Sequence, residues 1–313
     1  MCKGCVVNAA SRQSDWTDNI MTTTQFEYPA LYRTANVMSA SSQSFFLWLV
    51  KAEYGLLLLA TISSMNFYTT SLYFIIPALI LIASLVLMIT RSLLKPEQGW
   101  YRGRALAESI KTSSWKYCMR GEPFGDADNL AMRRSEFRTY LAEILSANRL
   151  IGDRMPPDQA AADQITTSME DVRALPLEDR IRFYDTHRIL EQRKWYAKKA
   201  GANKKASRLW VVASVIAYAV AIVLSLMRIT QPTFVFWPIE PVIVVASSIL
   251  GWMQVKKFNE LASSYTLTAH EIGIIRGKIP EMKTEGDFSQ FVVEAEQAFS
   301  REHTQWVARQ QHA

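Results

Sequence analysis

Residues 101–117 read YRGRALAESIKTSSWKY, which sets Arg104, Glu108, Lys111 and Trp115 within a few turns of one another if the segment is helical. Such a set could be a catalytic constellation, a cradle for phosphate or the wet face of an amphipathic helix. Catalysis needs a nucleophile with its base, or a metal cage. The chain has no GxSxG, no HExxH, no P-loop and no dinucleotide fingerprint. Its four histidines, His187, His270, His303 and His312, are not spaced as ligand pairs. REH at 301–303 lacks the i, i+4 histidines of a helical zinc site. Glu294 and Glu296 stand two apart, on different faces of a helix, out of reach of joint acid–base work. Cys2 and Cys5 form a lone CxxC with no second pair, and with Cys118 they make no disulfide framework. The protein is therefore expected not to be an enzyme, with no catalytic residue, no metal and no cofactor.

A helical reading accounts for most of the segment. Leu106, Ile110, Ser113 and Tyr117 recur at i, i+4, i+7 and i+11, one face of a helix. Arg104 and Glu108 are four apart and Glu108 and Lys111 three apart, so they are expected to pair along an exposed flank.

The helix must be positioned by its neighbours, and these are strongly apolar. From Tyr54 to Thr90 run 37 residues without a charge, enough for two membrane crossings joined by a turn at NFYTTS, 66–71. LWVVASVIAYAVAIVLSLM at 209–227 and PVIVVASSILGWMQV at 241–255 form a second close pair, separated by a segment with two prolines. Basic residues fix the orientation. Seven fall in 91–120 against two acids, ten fall in 180–208, and Lys256 and Lys257 close the last crossing. The inter-crossing segments carry only Arg228 and Glu240. Both hairpins are thus expected to point outward, with both termini and the central segment cytoplasmic. Lys51 is placed to snorkel to the cytoplasmic interface. The basic, aromatic stretch at 180–208 follows from this topology, so no nucleic-acid partner is expected. Glu240, between Pro238 and Pro241, either faces protein or water at membrane depth or lies in the outer headgroup zone.

The fold class is all-α: an integral membrane protein with four transmembrane helices in two hairpins plus a cytoplasmic helical bundle. Residues 1–25 are expected to be a disordered leader, Met21 being a possible true start. Residues 26–150 form a first unit with its hairpin at about 47–92, 151–178 a linker broken by Pro156 and Pro157, and 179–313 a second unit with its hairpin at about 208–255. In the second unit Arg188, Gln192, Trp195 and Lys199 share a face. LASSYTLTAHEIGII is expected to continue the last crossing helix. Phe288, Phe291, Val292, Ala295, Phe299, Trp306 and His303 line one side of a C-terminal helix.

RALAESIKTSSWKY, WYAKKAGANKKA and FSQFVVEAEQAFSREHTQW, in that order around two hairpins, resemble the SLATT superfamily in its tandem form. These are bacterial membrane proteins associated with SMODS nucleotidyltransferases and SLOG domains. The resemblance covers most of 26–310. It implies an effector of a prokaryotic conflict or antiphage system that perforates or depolarises the membrane in answer to a nucleotide-derived signal. The matching positions are Arg104, Glu108, Lys111 and Trp115 in the first unit, with Ala107 and Ser109. In the second they are Gln192, Trp195, Tyr196, Lys199, Glu294, Glu296, Glu302, His303 and Trp306. They are read as signature positions that assemble and couple the cytoplasmic bundle. The expected partners are the lipid bilayer, further copies of the chain, and a nucleotide second messenger or a SMODS or SLOG partner protein. The crossings hold so few polar residues that a conducting state needs several chains. A regulated channel or transporter, or a non-conducting scaffold, are the competing functions.

Overall fold

The computed structural model describes residues 26–65, 71–125, 129–148, 152 and 155–311; of Ser71, Gln159 and 301–311 only the backbone is described. The expected leader, with Cys2, Cys5 and Met21, and nearly all of the 66–71 turn lie outside the described residues.

Every regular element among the described residues is helical. In chain order they are α1 (Ala30–Ser63), α2 (Ile75–Leu94), α3 (Pro96–Cys118), α4 (Leu130–Ala147), α5 (Thr167–Ala174), α6 (Leu177–Tyr184), a π-helical segment (Asp185–Leu190), α7 (Glu191–Thr230), α8 (Ile239–Lys256), α9 (Phe258–Arg276) and α10 (Glu285–Gln311). Four helical stretches, carrying α1, α2, α7 and α8, are long and apolar enough to cross a membrane. Contact clustering divides the chain into two compact units that each draw on both halves of the sequence.

One unit comprises Ser42–Gln98 and Ala197–Thr266 and holds the apolar helices. Its large side chains point outward: Leu79, Ile82, Leu85, Val86, Leu209, Val215, Ile216 and Ile229 are all exposed. Many of its buried positions are small, with Ala60, Ser84, Ser207, Ser214, Ala217, Ala221 and Ala246 among them. A helix group with small residues inside and large apolar ones outside is built for lipid, where close backbone approach replaces the hydrophobic drive. Arg91 of α2 grips Glu53 of α1 at 2.7 Å, and Ser207 of α7 meets Asn259 of α9 at 2.6 Å.

α2 and α8 end alike. Lys95 (φ 43°) and Lys257 (φ 47°) cap them in the left-handed conformation, donating their backbone N–H to Arg91 and Met253. The residue after each cap opens a new helix, α3 or α9. LASSYTLTAHEIGII is helical throughout, within α9, and Lys257 stands where the last crossing was expected to close. Lys257 stops α8, because an L-residue in this conformation breaks the α-helical ladder.

The other unit comprises residues up to Ser41, Gly99–Tyr196 and Leu267 onward. It is aromatic and polar inside. Its chain entry is stitched to the segment before α5: Ala30 donates to the Asp163 carbonyl at 3.1 Å, Leu31 to Gln164 at 3.1 Å and Glu27 to Ser168 at 2.9 Å. Thr166 caps α5 through Met169 and also donates to the Glu27 carbonyl. Pro156 is extended and Pro157 opens only a single 3-10 turn, as a proline pair should. The C-terminal end of α3 is held by two arginines. Arg180, fully buried, donates to the carbonyls of Leu175 (3.0 Å) and Met119 (3.2 Å) and pairs with Glu285. Arg173 reaches the carbonyls of Tyr117 and Gly125. Carbonyls left over at a helix end thus find charged donors.

Candidate functional site

α3 supplies the first wall. Leu106, Ile110, Ser113 and Tyr117 are all buried, the face that their spacing predicts. Trp115 is 1% exposed; its ring stacks on Phe26 at 4.6 Å and its indole N–H donates to the Tyr28 hydroxyl at 2.9 Å. Arg104 bonds Glu108 at 2.9 Å, the expected i, i+4 pair. The flank is not the open one expected, however, for Glu108 is buried, and its charge reaches Tyr32 of α1.

The π-helical segment supplies the second wall. A π turn inserts a residue into the helical phase and turns the following side chains by about 100°. Arg188 lies on it and is 2% exposed, with Tyr184 and Ile189 buried beside it. Past this phase shift the buried stripe runs through Tyr196 and Ala200, whereas Trp195 and Lys199 are exposed. The shared face expected for Arg188, Gln192, Trp195 and Lys199 is thus broken, because the period changes inside it. Gln192 is half-buried.

α10 supplies the third wall. Phe288, Phe291, Val292, Ala295 and Phe299 are buried along one side, and Glu296, fully buried, falls among them. Arg188 Nε and Nη2 bond Glu296 Oε1 and Oε2 at 2.8 and 2.6 Å, and the Tyr184 hydroxyl donates to Oε1 at 2.9 Å. The guanidinium also lies over the Phe299 ring at 4.9 Å and the Trp115 ring at 6.0 Å. Burial opposes its charge, but the Glu296 carboxylate more than offsets this and holds Arg188 ionised well above its ordinary value. Burial and the same carboxylate push the Tyr184 hydroxyl up.

Lys111 completes the cluster. Burial, and then the charge of Arg188, lower its ammonium to about 8, with Glu108 and Glu296 pulling the other way and Arg104 adding to the fall. The result is a charge junction of buried Glu108, Arg188 and Glu296 with half-buried Arg104 and Lys111, lined by Tyr28, Trp115 and Tyr184.

The remaining sequence candidates lie apart from it. Glu294 is exposed and bonds Lys278 at 3.3 Å, on the opposite face from Glu296 as the two-residue spacing requires. Glu302, His303 and Trp306 fall on α10 where side chains are outside the described residues. Lys199 belongs to the apolar unit. Glu240 is exposed in the first turn of α8, where the helix dipole favours a carboxylate. Sequence reasoning placed Arg188 on a mixed face but gave it no role, and it did not single out Tyr184 or Tyr28. The one available signal was an arginine sharing a face with aromatic residues.

An all-helical protein with four candidate membrane crossings, its two halves each pairing a hairpin with polar helices, belongs to the class of multi-pass membrane proteins with an attached helical bundle. The family model for SMODS and SLOG-associating 2TM effector domain 3 matches residues 29–181, and that for SMODS and SLOG-associating 2TM effector domain 1 matches 184–306. The chain belongs to the SLATT superfamily as a tandem of two such domains, within a family of membrane-associated conflict effectors. No curated protein and no solved structure matches it.

Proposed function

We propose that this protein is a non-enzymatic antiphage effector that sits in the bacterial inner membrane with both termini cytoplasmic. On a nucleotide-derived signal, or on binding a partner that carries one, copies of the chain oligomerise and perforate or depolarise the membrane. The observation that supports this best is the junction of Trp115, Arg188 and Glu296. It ties a helix of the first matched domain to two elements of the second, so the tandem has a shared element that a signal can bias. A lumen within one copy is poorly supplied with polar groups, whereas rearranged crossings from several copies enclose one without burying new charge.

The test is leakage of small ions and of a larger dye from liposomes carrying the purified protein, with lysate from infected or uninfected cells. Release confined to infected lysate supports the reading. Release of ions but never of dye favours a regulated channel. Folded, inserted protein that leaks in neither condition overturns it in favour of a scaffold.

A further inference from the structure

Within the apolar unit, two lysines from two helices gather about one indole. The ammonium of Lys51, on α1, lies over the Trp252 ring at 5.3 Å, and that of Lys256, at the end of α8, lies over the same ring at 5.8 Å. Lys256 also feels the fields of Lys51 and of Lys199 on α7. Among the described residues neither Lys51 nor Lys256 has a carboxylate partner. Glu53, on the same helix as Lys51, is engaged by Arg91 at 2.7 Å, and Glu260 lies nearest Lys257, at 4.0 Å. Like charges held this close repel unless an anion lies between them.

The depth of the cluster says which anion. Lys51 precedes the uncharged run that starts at Tyr54, and Lys256 closes the last apolar helix. Lysines and tryptophan at such boundaries meet the phosphate layer of a bilayer. Tyr54, one turn beyond Lys51, lies against Gly251 with its hydroxyl where a Cβ would stand, which fixes α1 beside the Trp252 end of α8. The ring, in turn, attracts both ammonium groups.

We propose that Lys51, Trp252 and Lys256 form a binding site for the phosphate of an anionic phospholipid headgroup, one lipid bridging the first hairpin to the second. This rests on the membrane placement of the chain and not on its role in conflict, so leakage assays and lipid binding fail independently.

The test is thermal unfolding of the full-length protein in a neutral detergent with short-chain phosphatidylglycerol, phosphatidylcholine, glycerol phosphate or inorganic phosphate added. Phosphatidylglycerol should raise the melting temperature clearly more than phosphatidylcholine does, and the two soluble phosphates should do little. The double variant K51Q/K256Q should lose most of the difference, and K51R/K256R should keep it. Equal effects of the two lipids, or an undiminished effect in K51Q/K256Q, would overturn the site. A shift of the same size from a soluble phosphate would overturn its assignment to lipid. Should K51Q/K256Q not fold, the lipid retained by purified wild-type protein decides: enrichment of phosphatidylglycerol over its share of the membrane is the expected result, and no enrichment refutes the proposal.

Discussion

Arg188 and Glu296, 108 residues apart, form a two-pronged ion pair at 2.8 and 2.6 Å with neither side chain more than 2% exposed. The pair is also unequal. Tyr184 adds a donor to the carboxylate, while Nη1 of the guanidinium is buried without a hydrogen-bond partner among the described residues. A buried pair of this kind adds little net stability against well-packed apolar residues, yet breaking it from one side strands a charge. That asymmetry suits a junction that holds one arrangement until something displaces it.

Replacing Glu296 by Gln leaves Arg188 uncompensated and should destabilise the protein by about 3–5 kcal/mol. A combined Arg188→Met and Glu296→Leu replacement should recover most of that loss. Thermal unfolding in detergent checks both; a Glu296→Gln protein as stable as wild type would show that the pair is not buried.

Lys111 should make stability depend on pH. Its folded value of about 8 lies below the ordinary 10.5, so between the two the unfolded chain binds more protons. Stability therefore rises as pH climbs through about 8, and the burial penalty is present in full below it. Arg104, Glu108, Arg188 and Glu296 are the charges facing it. A Lys111→Met variant should be more stable than wild type at neutral pH and lack the rise, as melting temperatures across this window will show.

α3 should depend on a residue outside its own sequence. An Arg180→Met replacement removes the donors for the Leu175 and Met119 carbonyls and should cost about 2–4 kcal/mol. Hydrogen exchange at the end of α3 and at α6 should quicken together. An effect confined to α6 would contradict the role given to Arg180.

The left-handed lysines offer a contrasting change. Lys257→Gly and Lys95→Gly each relieve an L-residue at positive φ and should stabilise by up to about 1 kcal/mol. A loss of stability in the same unfolding assay would mean that the lysine side chains matter more than the backbone they cap.

Much of this architecture was legible from residue order because lipid and a packed core impose simple periods. The uncharged run from Tyr54 to Thr90 and the Phe288–Phe299 stripe read directly as crossings and as a buried face. Arg188 was hidden because a six-residue π segment shifts the helical phase, and propensity does not announce such a shift. Glu108 looked like a solvent-facing partner since pair spacing alone says nothing about the tertiary packing that buries it. Lys257 was read as the close of the last crossing, but nothing local marks an L-residue that tertiary context forces into a left-handed cap.

The most direct test of the account is the membrane potential of living cells that express the protein from its natural level upward, followed by a voltage-sensitive dye through a phage infection. The account predicts a normal potential before infection and collapse after it in cells with wild-type protein, with cells lacking the protein keeping their potential over the same interval. A potential that runs the same course with and without folded, membrane-inserted protein would contradict it.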